Sequence, residues 1–276
     1  MNVPVFVSVR RPVSTTLAKV FSYLSFPPVA GVEYRNTSAL MLFTMGSASE
    51  RLLRDLSNYK SQVFRDTFPF YNDTGKEGFI FLGTCVQPRS RGRVTLRDTS
   101  TNVPAHVDPN YLHHEHDVRC MIKALRRAER LISTRPFAEI GARIHWPRPE
   151  RCRTFWNYSK MDQLGLRRKK NTDTGKPYQC PIKSSKRKSS SPPDEYLACI
   201  IREVAVTGHH AAGTAAGGTV VDDQLRVKHV RGLRVMDASV FPSPISLYPN
   251  SVLVGMAEKA ADIIKLTQRR IESKYT

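Results

Sequence analysis

The sequence is short of several things, and each shortage excludes a class of protein. No run of eighteen or more apolar residues occurs, so nothing reads as a membrane-spanning helix. Five cysteines (Cys85, Cys120, Cys152, Cys180 and Cys199) form no C-x-x-C pair, which argues against a structural zinc site, and no metal ligands are expected. Their odd number excludes a fully paired disulfide framework. None of the 15 glycines stands two residues from another, so the G-x-G start of a dinucleotide-binding turn is absent. No internal repeat is present. Acids are scarce too: 24 Asp and Glu face 43 Lys and Arg, giving a net charge of +19.

What is there suits a folded protein. A chain of 276 residues with 40% hydrophobic residues can bury a core. The basic excess is local: ten Lys and Arg stand against Asp162 and Asp173 between Lys160 and Lys188. Charge runs of this kind are usually solvated, and the window has no recognised module, so a nucleic-acid partner is not expected. Cys152 and Cys199 flank it and could meet in space, but reduced, buried thiols are the preferred reading. The opening "MNVPVFVSVRRPVSTTLAKVF" has its arginines after the apolar stretch, the reverse of a signal peptide. It reads instead as the middle of a domain whose start is missing. Localisation is left open, with secretion of full-length relatives as one option.

Residues 1–46 give no clear period. Ser47 and Glu50 offer a capping box ahead of Leu52, Leu53, Leu56, Tyr59 and Val63. "GFIFLGTCVQP" (78–88) is β-prone, and "SRGRVTLRD" (90–98) alternates as a half-buried strand does. Val118, Ile122, Leu125, Ala128 and Ile132 predict a helix, with Pro136 just beyond. Residues 153–193 lose all periodicity. Order returns at "DEYLACIIREVAV", followed by β-prone runs Leu225–Val227 and Leu233–Met236 around a turn at Arg231-Gly232. A last helix over residues 251–270 should turn Val252, Met256, Ala260, Ile263 and Ile264 inward, with Asn250 as its N-cap.

The blocks "TGHHAAGT", "VVDDQLRV", "GLRVMDASVFP" and "PNSVLVGMAEKAADII", in that order, resemble the C-terminal signature of the glucose-methanol-choline (GMC) oxidoreductases. "SRGRVTLRDTSTNVPAHVDPNYLHHEHDV" is similar to the same family's entry into its substrate domain. The resemblance covers nearly all of residues 78–270 outside the basic window, and is closest to insect-type members often called glucose dehydrogenases. It implies FAD-dependent oxidation of an alcohol or sugar, a small-molecule substrate whose hydride passes to the flavin while a base takes the hydroxyl proton. The family pattern, Thr, two residues, His, two residues, Gly-Thr, falls on Thr207, His210, Gly213 and Thr214, so it implies His210 as that base. The second catalytic slot, Asn or His in relatives, holds Tyr248, whose hydroxyl can hydrogen-bond a substrate oxygen but which is bulkier than either. "AAGG" (215–218) stands where relatives place a cysteine-containing turn and Met-Gly.

The resemblance also implies flavin contacts at Asp237 and Ala238, from "DAS", and at Asn250 and Ser251 before the last helix. A helix N-terminus would stabilise the negative charge that develops on the ring. The bland alternatives are that Asp237 caps a turn, Asn250 is a plain N-cap and His210 a strand-end histidine.

An α+β protein is therefore expected. Residues 1–152 would form part of a substrate-binding domain, an antiparallel sheet with helices on one face. Residues 153–193 would be a basic insertion. Residues 194–276 would supply the active-site histidine and the strand-helix part of an FAD-binding domain whose nucleotide-binding half is absent. The alternative is a GMC-derived binding or structural protein without catalysis.

Overall fold

The computed structural model describes residues 2–8, 38–47, 58–68, 70–72, 77–156, 191–246 and 249–273. Strands β1 (Asn2–Ser8), β2 (Ser38–Ser47), β3 (Glu77–Cys85) and β6 (Arg143–His145) form one sheet in the order β2-β3-β1-β6. Every neighbouring pair is antiparallel. Between β3 and β6 the chain makes a two-stranded ribbon, β4 (Arg93–Thr95) with β5 (His106–Asp108). It then forms helices α2 (Glu115–Ile132) and α3 (Arg135–Glu139). Helix α1 (Ser61–Thr67) precedes β3, and α4 (Asp194–Val204) and α5 (Pro249–Glu272) complete the set.

β1 explains the unreadable start. Val3, Val5, Phe6 and Val7 are all fully buried, because the strand is covered on both faces. A strand with no wet face has no polar alternation to detect. Val3 and Val5 pack with Met121 and Leu125 of α2 and with Tyr196, Leu197, Ile200 and Ile201 of α4. Val7 continues that layer with Phe79, Phe81, Ala128 and Phe137. Phe6 points the other way, into Phe64 and Phe68 from α1 and its end, with Ile80. The α+β class and the main helical layer are as expected, and the short α1 adds cover on the opposite face. Each large apolar side chain so buried contributes about 1.5–3 kcal/mol.

Polar ties fix the helices on the sheet. The Tyr196 hydroxyl, fully buried, donates to the Pro147 carbonyl at 2.5 Å. Arg126 of α2 reaches the start of α4, pairing with Asp194 at 2.5 Å and donating to the Pro192 carbonyl at 2.8 Å. Those partners outweigh its desolvation, so the guanidinium holds its proton more firmly than usual.

Four expectations are corrected. Four of the cysteines are paired, not reduced: Cys85 is bonded to Cys120 and Cys152 to Cys199, with Cα atoms 5.5 and 5.7 Å apart, and Cys180 lies outside the described residues. Both separations suit a disulfide, and only the fold brings these partners together. Residues 90–98 are not half-buried; Val94 is 48% and Leu96 84% exposed, because nothing among the described residues covers the ribbon. The runs at 225–236 form isolated bridges, Val221 with Val227 and Arg226 with Arg234, not a ladder. In α5, Val252 and Ile264 lie outward and Ala260 is the buried residue; the helix starts at Pro249, which puts Asn250 in its first turn instead of at its cap. Ser47 ends β2, and Glu50 and most of the helix expected after it lie outside the described residues, as do 157–190 of the basic window. Among the described residues no helix is long and apolar enough to cross a membrane.

Candidate functional site

The site is built where α4 ends. Beyond Val204 the Thr207 hydroxyl accepts the backbone N–H of His209 at 3.1 Å and lies 3.1 Å from the Tyr111 hydroxyl. Thr207 therefore closes a local turn and ties it to the loop before α2. His209 takes a left-handed conformation, φ +58°, which reverses the chain and leaves both His209 and His210 on the surface. The Arg202 guanidinium donates to the carbonyl of Leu112, at 3.1 Å, bracing the same loop from α4.

Past His210 the chain runs alongside the second motif block. The Ala215 N–H donates to the Ser239 carbonyl and the Gly217 N–H to the Val240 carbonyl, both at 2.9 Å. Gly213, at φ +95°, comes so near that a Cβ would lie 3.3 Å from the Phe241 carbonyl oxygen. The small residues of "AAGTAAGG" thus permit backbone approach to residues 239–241. Val221 and Val240 are the buried pins of this unit.

Asp237 precedes a short 3₁₀ turn (Ala238–Val240), and its carboxylate accepts the Ser239 hydroxyl and, at 2.8 Å, the Ser239 N–H. These bonds hold its pKa below the usual carboxylate value, the hydroxyl contributing most. Asp237 is exposed and Ala238 half-buried. Asn250 and Ser251 are exposed in the first turn of α5, which contains no acidic side chain. The free N–H groups and partial positive charge of that helix end are therefore not neutralised by its own residues. Tyr248 lies outside the described residues.

Asp222 is an organiser that the motif reading passed over. Its carboxylate accepts Gln224 N–H and Arg226 N–H, each at 2.9 Å, and the Arg226 guanidinium at 2.8 Å. These bonds, led by the Arg226 backbone N–H, hold its pKa down. An aspartate two residues before a turn in "VVDDQLRV" is the signal that could have found it.

The family's profile, described as GMC oxidoreductase, matches residues 88–257, well over half of the chain. The chain belongs to the GMC oxidoreductase family. Over 225 residues it is 40% identical to the "Neither inactivation nor afterpotential protein G" of Drosophila melanogaster, covering 82% of this chain and 34% of that protein. Ecdysone oxidase of Spodoptera littoralis is 32% identical over 180 residues, covering 65% of this chain and 24% of its own length. Among solved structures, a formate oxidase superposes with a TM-score of 0.53 at 17% identity, over 98% of this chain and 46% of that one. That likeness shows the fold alone. The GMC chain spans between a quarter and a third of the length of these curated relatives. Val220, Leu233, Met236, Val254, Ile264 and Leu266 of its C-terminal segment are 38–63% exposed.

Proposed function

We propose that this chain supplies the substrate-side portion of an FAD-dependent oxidoreductase acting on the CH–OH group of an alcohol or sugar. The observation that carries the reading is the pairing of residues 215–217 with 239–240, which joins the histidine block to the "DAS" block in one hydrogen-bonded unit. Bound FAD would supply the hydride acceptor. His210, three residues before Gly213 and exposed at the surface, takes the hydroxyl proton. Thr207 positions it through the turn at His209. Tyr248 occupies the partner slot and donates a hydrogen bond to the substrate oxygen.

The residues present fit the ring end of FAD and not its nucleotide end. The acid-free start of α5 at Asn250 and Ser251 suits an electron-rich ring edge, and Asp237 with Ala238 suits the polar chain that follows. The sequence has no G-x-G of the kind that cradles a pyrophosphate. The exposed apolar side chains Val252, Val254, Ile264 and Leu266 of α5 fit cover by a further portion of protein, and the relatives are longer. The same features favour a second reading, a GMC-derived binding protein without turnover.

One experiment separates the two. The purified chain is mixed with FAD, and the flavin band is followed anaerobically as alcohols and glucose are added. Uptake of flavin, bleaching by a donor, and a loss of roughly 10²–10⁴-fold in bleaching rate for His210→Ala support the enzyme. Flavin uptake without bleaching by any donor supports the binding protein. Bleaching at an unchanged rate in His210→Ala removes this histidine from the chemistry.

A further inference from the structure

Four metal-ligating side chains converge where β3 meets α2. Cys85 ends β3. His116, Asp117 and Cys120 sit on the first turns of α2, with His116 and Cys120 four residues apart and so on one helix face. Cys85 Sγ, a ring nitrogen of His116 and a carboxylate oxygen of Asp117 all lie within 4.8 Å of one another, and the Cys120 sulfur is bonded to that of Cys85. The cluster is shielded from water: Cys85, Cys120 and Asp117 are 2–3% exposed, and the His116 side chain 11%.

We propose that, when the Cys85–Cys120 disulfide is reduced, these four residues form a tetrahedral site for a thiophilic divalent cation of the zinc type. The donor set, two thiolates, an imidazole and a carboxylate, is one that zinc accepts. The geometry agrees. Nitrogen and oxygen ligands about 2.0 Å from a tetrahedral ion stand about 3.3 Å apart, and His116 Nδ1 is 3.2 Å from Asp117 Oδ1. Two thiolates at about 2.3 Å from the ion stand about 3.8 Å apart, which side-chain rotation in a reduced pair can reach. Asp117 is also held in place, since it accepts the Arg89 N–H at 2.7 Å and the Ser90 N–H at 2.9 Å. Such bonds orient a metal-binding carboxylate.

The chemistry balances with a named reductant. A dithiol or phosphine supplies two electrons to the sulfur–sulfur bond and is itself oxidised. The two thiols that form lose their protons to solvent as the cation binds. In the disulfide state the sulfurs carry no charge and the site is closed. The cluster thus holds either a covalent cross-link or a cation, according to the redox poise around it. The ligands are arranged as H-x₃-C on a helix plus a cysteine from a strand, a spacing unlike C-x-x-C.

The test uses cobalt(II) as the spectroscopic probe in a chain carrying Cys152→Ala, Cys180→Ser and Cys199→Ala, reduced with a phosphine. The expected result is one cobalt per chain, with sulfur-to-cobalt charge-transfer and tetrahedral visible bands. Those bands vanish on reoxidation and in Cys120→Ser, and affinity falls roughly 10–100-fold in Asp117→Asn. Full-intensity bands in a chain lacking both the His116 and Asp117 donors would overturn the site, as would no charge-transfer band at all. Should the triple variant not fold, melting of the natural chain decides: zinc raises the midpoint of the reduced protein and leaves the oxidised protein unchanged. Equal shifts in both states, or none in either, refute the proposal.

Discussion

Gly83 and Leu125 give the sharpest check on how α2 sits on the sheet. Gly83 of β3 pairs with Val3 on one side and Leu40 on the other. A Cβ added there would stand 2.9 Å from Leu125 Cδ2 and 3.4 Å from Ala124 Cβ. The second contact is ordinary and the first is a clash. Gly83→Ala alone should therefore cost about 1–3 kcal/mol by overpacking. Leu125 is fully buried, so Leu125→Ala alone should cost about 2–5 kcal/mol, as transfer plus cavity. In the double variant the new methyl occupies space that Leu125 has vacated. Its cost should then fall short of the sum by about 1–2 kcal/mol. Urea unfolding followed by helical circular dichroism, at an unchanged m-value, measures all four corners of the cycle. Additivity within about 0.5 kcal/mol would mean that α2 does not cross β3 at this point, and the sheet-helix packing described above would be wrong.

Three further outcomes are expected. Replacing Cys152 and Cys199 with alanine opens a link spanning 47 residues, which on loop entropy should cost about 4 kcal/mol at most; no change in the urea midpoint would mean the pair is not bonded in solution. Tyr196→Phe should cost about 1–2 kcal/mol by leaving the Pro147 carbonyl unpaired, measurable in the same assay, and an increase in stability would contradict the bond. The folded pKa of Asp222 lies below its unfolded value of about 3.9, so its contribution is present above that pH and lost as pH falls through the lower folded value. Carboxyl chemical shifts should show that depressed midpoint surviving in Arg226→Ala, because the leading cause is the Arg226 backbone N–H; a return to the unfolded value would assign it to the guanidinium.

Local pattern was enough for the elements with one wet and one dry face. Residues 118–132 carried their apolar stripe openly, and they lie in a helix that buries Val118, Leu125 and Ala128. The family blocks were equally readable, because a turn at Thr207 and a cap at Asp237 depend on neighbours a few residues away. Other features were out of reach. Strand β1 is dry on both faces and shows no period, and the alternation of Val94 and Leu96 promised a cover that no part of the described chain provides.

Sequence by itself determined the α+β class, the family and the chemical identities of His210, Asp237, Asn250 and their neighbours, since each follows from residue order. Tertiary structure alone decided which cysteines meet, that residues 213–217 lie beneath 239–241, and that Cys85 shares a corner with His116, Asp117 and Cys120. The reason is physical: such contacts join residues dozens of positions apart, and their partners are chosen by how helices settle on a sheet, a choice that no local spacing encodes.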